Sequence, residues 1–180
     1  MTYKTYIALL RGINVGGKVL KMADLKQAVA TLGFEDVQNY LQSGNVVFRA
    51  PKSGNRELAT RITDAIRDHK SMDVTVMVRD AAEWDRIVAG NPYSEAYEFP
   101  KTVHTFILDG QPETARVETL TAKEAGREEW QIVDGTLYLH TPDGFGKSVL
   151  GGMVERVLKV PMTARNWNTV LALQELARKS

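Results

Sequence analysis

The sequence predicts an α+β fold: two tandem β-α-β-β-α-β units with antiparallel sheets, plus a C-terminal helix. Three observations predict it. Along the 180 residues, strand-like and helix-like apolar patterns follow one another in that order twice. Ser43-Gly44 and Asp134-Gly135 each lie between two extended runs, the mark of a tight hairpin. The two hairpins also align without a gap, Leu41-Gln42-Ser43-Gly44-Asn45-Val46 over Ile132-Val133-Asp134-Gly135-Thr136-Leu137. This element order is the split-βαβ, or ferredoxin-like, arrangement. Right-handed crossovers place both helices of a unit on one face of a four-stranded sheet.

Residues 4–10, KTYIALL, read as a strand apolar on both sides, followed by a Gly-rich loop from Arg11 to Lys18. Leu25, Ala28, Val29 and Leu32 have helical spacing over 22–33, and Gly33 marks the stop. Strands over 37–42 and 45–50 flank a two-residue turn at Ser43-Gly44. Leu58, Ile62, Ala65 and Ile66 share one face of a helix over 56–69, and 73–79 alternates as a half-buried strand. Asp80-x-x-Glu83 is a capping box that opens a short helix carrying Trp84, Ile87 and Val88. Residues 90–102 hold Gly, two Pro and polar residues and read as a connector.

The second unit begins with a strand over 103–108 and a helix over 113–124. Strands over 130–133 and 136–140 flank Asp134-Gly135. Val149, Leu150, Met153, Val154, Val157 and Leu158 predict an amphipathic helix over 147–158. A short extended stretch near 160–164 and a helix from about Trp167 to Lys179 complete the chain. The domains expected are 1–79 (first unit), 80–102 (short helix and connector) and 103–180 (second unit with the C-terminal helix).

Composition narrows the function classes. Lys+Arg is 23 and Asp+Glu 22, a net charge of +1, which argues against a dedicated duplex-DNA binder. There is no cysteine, so thiolate nucleophiles, disulfides and zinc-thiolate sites are excluded. His69, His104 and His140 are scattered and show no metal-ligand spacing, so no metal and no cofactor is expected. The N-terminal apolar run is too short for a signal peptide, and no run is long enough for a membrane helix. The expectation is a soluble cytoplasmic protein.

Gly12 to Lys18 matches GxxxxGK, but Val19 stands where a P-loop needs a hydroxyl for Mg²⁺, and the helix begins too late. Gly146-Lys147-Ser148 lacks the first glycine, with Thr141 in its place. Neither is a P-loop. The Gly-rich loop can still cradle an anion between backbone N–H groups, Arg11 and Lys18. Split-βαβ topology places the end of the first strand beside the second–third hairpin, so Arg11, Asn14 and Lys18 are expected near Gln42, Ser43 and Asn45. Convergence of polar groups remote in sequence is what a small-ligand site needs. The second polar cluster is Arg165, Asn166 and Asn168. Either asparagine can cap the last helix, and the segment is a second candidate anion site.

The segments Leu10-Arg11-Gly12-Ile13-Asn14-Val15-Gly16-Gly17, Tyr40-Leu41-Gln42-Ser43-Gly44-Asn45-Val46-Val47-Phe48 and Thr163-Ala164-Arg165-Asn166-Trp167-Asn168-Thr169 resemble the bacterial family called domain of unknown function 1697. Asn91-Pro92-Tyr93 is similar to that family's Asn-Pro-aromatic element. Leu41 replaces the family's usual Ile, and its basic stretch after the Gly-Gly pair is reduced to Lys18-Val19-Leu20-Lys21. The resemblance implies a compact α+β bacterial protein and supplies no activity.

The functional expectation is a protein that binds a small anionic molecule or a nucleotide in a cleft between the two halves, a metal-independent enzyme being one form of it. Arg11 and Arg165 would neutralise charge; Asn14, Gln42, Asn45 and Asn168 would orient the ligand. The alternative is a nucleic-acid or protein-binding module that uses an open sheet face carrying Tyr6 and Tyr40, or the opposite parity. No nucleophile–base pair is visible, and no feature singles out a carboxylate such as Asp24 as an acid or base.

Overall fold

The computed structural model describes residues 2–180. Two compact units are present, one running through Arg86 and including Ala172–Ser180, the other Ile87–Leu171. In the first, strands β1 (Tyr3–Leu10), β2 (Glu35–Tyr40), β3 (Asn45–Pro51) and β4 (Val76–Asp80) form one antiparallel-paired sheet, A, in the order β2-β3-β1-β4. In the second, β5 (Val103–Leu108), β6 (Glu129–Val133), β7 (Thr136–His140) and β8 (Met162–Asn166) form sheet B in the corresponding order β6-β7-β5-β8. Both units are βαββαβ, ferredoxin-like folds.

In the first unit α1 (Met22–Ala30) and α2 (Asn55–Lys70) cover one face of sheet A. Period two decides which strand residues meet them: Tyr6, Ala8 and Leu10 of β1, Val46, Phe48 and Ala50 of β3, Val76 and Val78 of β4. The period of 3.6 decides the helix side: Leu25, Ala28 and Val29, then Leu58, Ile62 and Ile66. Phe48 lies between the rings of Tyr6 at 5.7 Å and Phe34 at 4.6 Å. The Tyr6 hydroxyl donates to Ser53 O and accepts from Ser53 N, so its burial leaves no polar group unpaired and fixes the approach to α2. Sequence order then opens α3 (Ala81–Ala89) with the reciprocal capping box: Glu83 N donates to Asp80 Oδ1, and Asp80 N to Glu83 Oε2.

The remaining helices are α4 (Glu95–Glu98), α5 (Thr114–Thr121), α6 (Val154–Leu158) and α7 (Trp167–Lys179), with short 3-10 turns at 100–102 and 145–147. In the second unit Leu120, Val154 and Leu158 pack on Phe106, Leu108, Leu137 and Leu139. No helix among the described residues is long and apolar enough to cross a membrane.

Four expectations need correction. The helix predicted over 147–158 begins only at Val154. Before it, Glu128 accepts hydrogen bonds from Ser148 Oγ, Val149 N and Leu150 N, and Ser148 Oγ accepts from Gly151 N. These bonds compete with helical ones, and Gly151-Gly152 is a poor helical pair. The helix predicted over 22–33 stops at Ala30, with Gly33 closing the following turn. The first hairpin is a four-residue loop, 41–44, because Tyr40 pairs with Asn45. Leu41 and Gly44 both take left-handed backbone (φ 57° and 76°), so the gap-free alignment with the true two-residue turn at 134–135 does not hold. Finally, among the described residues the face of sheet A expected to be open to stacking aromatics is covered. Tyr6 belongs to the helix-side core, and Ile7, Leu9, Val47 and Met77 on the opposite face of sheet A are also buried.

Candidate functional site

At the end of sheet A, three stretches of chain are drawn together by backbone bonds. Leu10 N donates to Gly44 O at 2.8 Å, so the hairpin loop lies against the start of the 11–21 loop. Gly44 cannot carry a side chain there: a Cβ would come within 2.6 Å of Ile13 Cδ1 and 2.7 Å of Leu10 Cβ. On the other side, Arg11 N donates to Thr75 O at 2.9 Å, which brings in the approach to β4. A cavity of about 390 Å³ opens there, lined by Arg11, Val15, Lys18, Asp73, Thr75 and the backbone of Gly12 and Gly16.

The charges of this cavity are unequal in their engagement. The Asp73 carboxylate accepts from Arg67 Nε at 2.6 Å, so its charge is largely answered outside the cavity. The Lys18 ammonium donates to the backbone oxygen of Asp73 at 3.2 Å, which positions it at the wall. With Arg11 the wall carries two cations, the field an anion needs. Asp73 and Thr75 were not among the sequence candidates. The signal for them was present, since β4 had to pair with β1 and its entry therefore lies beside Arg11.

The amide side chains expected to orient a ligand have partners of their own. Asn14, in left-handed backbone (φ 56°), donates to Leu20 O and Gln42 O and accepts from Leu20 N. It closes the 11–21 loop and ties it to the hairpin. Asn45 is fully buried and donates to Tyr40 O and Ser43 Oγ, bracing the four-residue loop from inside. Gln42 and Ser43 are exposed on that loop. Topology thus brings Arg11, Asn14, Lys18, Gln42, Ser43 and Asn45 to one end of the sheet, and two of the six are structural braces.

In the second unit, Arg165 sits on β8 and is 9% exposed; Nη1 donates to Thr163 Oγ1 and to Ala164 O, both at 2.8 Å. Burial lowers its guanidinium to about 10, still well above neutrality, so the cation persists. Asn166 is the cap of α7, its Oδ1 accepting from Thr169 N at 3.0 Å, and Asn168 is exposed in the first turn. Trp167 is fully buried beside them. Asp24 pairs with Lys70 at 3.1 Å. Among the described residues no group of three or more His, Asp or Glu is arranged to hold a metal ion.

The profile of the family described as "Protein of unknown function (DUF1697)" matches residues 3–138. Among solved structures, the chain is similar to the conserved bacterial protein SP0830 from Streptococcus pneumoniae, with a TM-score of 0.78 and 21% identity over 98% of this chain and 99% of that one. At that identity the likeness speaks for the fold. No curated protein matches the chain.

Proposed function

The chain belongs to the DUF1697 family, a family of unknown function, and on that premise we propose that its first unit binds a small anionic molecule such as a phosphate-bearing metabolite or nucleotide. The observation that carries the reading is the cavity of about 390 Å³ with Arg11 and Lys18 on its wall and its one lining carboxylate already held by Arg67. Gly12 and Gly16 bring bare backbone to the same surface, where N–H groups approach an anion closely. Val15, 73% exposed, lines the cavity too and offers apolar contact to a ligand body larger than the anionic group. Asn14 serves the site indirectly, by holding the loop that presents the cations.

A thermal-shift titration with inorganic phosphate and with adenosine monophosphate, at constant ionic strength, tests this reading. Binding to the folded state raises stability by about 2.7 kcal/mol at a hundredfold excess over Kd. The shift should exceed that given by chloride and should collapse in the Arg11→Ala, Lys18→Ala double variant. Equal shifts in the double variant would remove the site from this loop. A response to oligonucleotides alone, steeply weakened by salt, would replace the small anion with a nucleic acid.

A further inference from the structure

The Asn91-Pro92-Tyr93 element lies in the second unit, and its geometry points to a second site. Asn91 Oδ1 accepts from Tyr93 N at 3.0 Å and its Nδ2 donates to Tyr93 O, a closed turn that fixes where the tyrosine leaves the chain. Tyr93 is 7% exposed, and its ring lies 5.5 Å from the ring of His140. Its hydroxyl is buried with no hydrogen-bonding partner of ordinary geometry among the described residues. The contrast with Tyr138 is direct: that equally buried hydroxyl donates to Ile87 O at 2.6 Å. With only the Gln131 side chain near it and no well-formed bond, such a buried hydroxyl is retained at a cost unless something else answers it. Burial first, and then the Glu129 and Glu95 charges, push the Tyr93 phenol up to about 12 against the opposing pull of the nearby Gln131 side chain, so it is a standing donor at neutral pH.

Tyr93 lines a cavity of about 400 Å³, a size suited to a small molecule. Its other polar walls are Lys123, Glu128, Glu129 and Gln131. Glu128 is spent, since both of its oxygens hold the 148–150 segment. Glu129 faces His140 across β6 and β7, 3.9 Å from Nδ1, and its side chain remains 68% exposed. Lys123 is exposed and makes no ion pair among the described residues. One wall therefore offers a carboxylate and another an ammonium, with a phenol donor in the floor. A simple anion would meet Glu129, and a simple cation would leave Lys123 and Tyr93 unanswered. A molecule with both charges answers all three.

We infer that this cavity is a binding site for a small zwitterion of the α-amino acid class, its carboxylate on Lys123 and the Tyr93 hydroxyl and its ammonium on Glu129. The test is a chemical-shift titration of the full chain with L-alanine, and with propionate and ethylamine as its two halves. L-Alanine should give saturable shifts at Tyr93, Gln131 and Glu129, and each half should bind at least about tenfold more weakly. Lys123→Gln and Glu129→Gln, both at exposed positions, should each weaken L-alanine about tenfold. Tyr93→Phe should do so with an otherwise unchanged spectrum; if that variant does not fold, the two surface variants decide. No saturable shift at these residues overturns the site. Propionate binding as tightly as L-alanine, or indifference to both surface variants, overturns the zwitterion.

Discussion

The two units share a strand order and differ in what they attach to it. Sheet A turns from β2 to β3 through four residues, 41–44, whereas sheet B turns from β6 to β7 through Asp134-Gly135 alone, both in left-handed backbone (φ 47° and 75°). After the first strand, one unit inserts residues 11–21 and the other only 109–113. The faces opposite the helices differ as well. Ile7, Leu9, Val47 and Met77 accompany Asn45 in sheet A, whereas Thr105, Thr163 and Arg165 join Ile107 and Tyr138 in sheet B. The scaffold is thus repeated where helix packing demands it. Chemistry diverges in the loops and on the second face, where that demand is absent.

The largest expected effect comes from exchanging the two hairpin glycines. Gly44→Ala adds a left-handed penalty and a Cβ into Leu10 and Ile13, for a loss on the order of 3 kcal/mol. Gly135→Ala has the same backbone sign (φ 75°) but open space around it, and should lose about 1 kcal/mol in the same urea titration. Equal losses would mean that the close loop packing of the first unit carries no weight.

The contrast also marks what could be read from the residues. Helix faces, strand parity, the capping box and the Asp134-Gly135 turn follow from periodicity and local hydrogen-bonding chemistry, and the structure has them. Leu41 hid the length of the first loop, because a leucine in left-handed backbone has no sequence signal; only its position between Asn45 and the Asn14 brace holds it there. The short α6 was hidden for a related reason, since Glu128 acts on Ser148 from twenty residues away in the chain. Arg165 reads as a surface cation, yet its parity on β8 turns it to the buried face. The place of Arg11 was legible because the pairing of β1 with β4 puts the end of β1 beside Thr75.

Asn14→Ala removes three hydrogen bonds from the first-unit loop, and should cost about 2 kcal/mol and speed amide exchange at Leu20. The loop amides of the second unit should not change. Asn166→Ala takes the cap from α7 and should cost about 1 kcal/mol by thermal denaturation, with Asn166→Asp recovering most of it. A smaller effect separates the units by pH. Asp80 is held below its usual value: burial opposes this, and the hydrogen bonds from Lys4 and Glu83 N overcome it. A carboxyl with a depressed folded pKa stabilises above its unfolded value, near 3.8, and that contribution is lost as pH falls below it. Asp80→Asn should therefore flatten the stability profile of the wild-type protein below about pH 4, with protection at α3 the local readout.

The central claim is that the loop insertion of the first unit, rather than the shared scaffold, makes the anion site. The most direct measurement is a residue-resolved chemical-shift titration with inorganic phosphate at fixed ionic strength. The account predicts saturable shifts confined to Arg11, Gly12, Gly16, Lys18 and Thr75, and Arg11→Ala weakening binding by about 1.5–3 kcal/mol, the range for hydrogen bonds to charged groups. Saturable shifts in the 109–113 loop instead, or binding that survives Arg11→Ala unchanged, would contradict it.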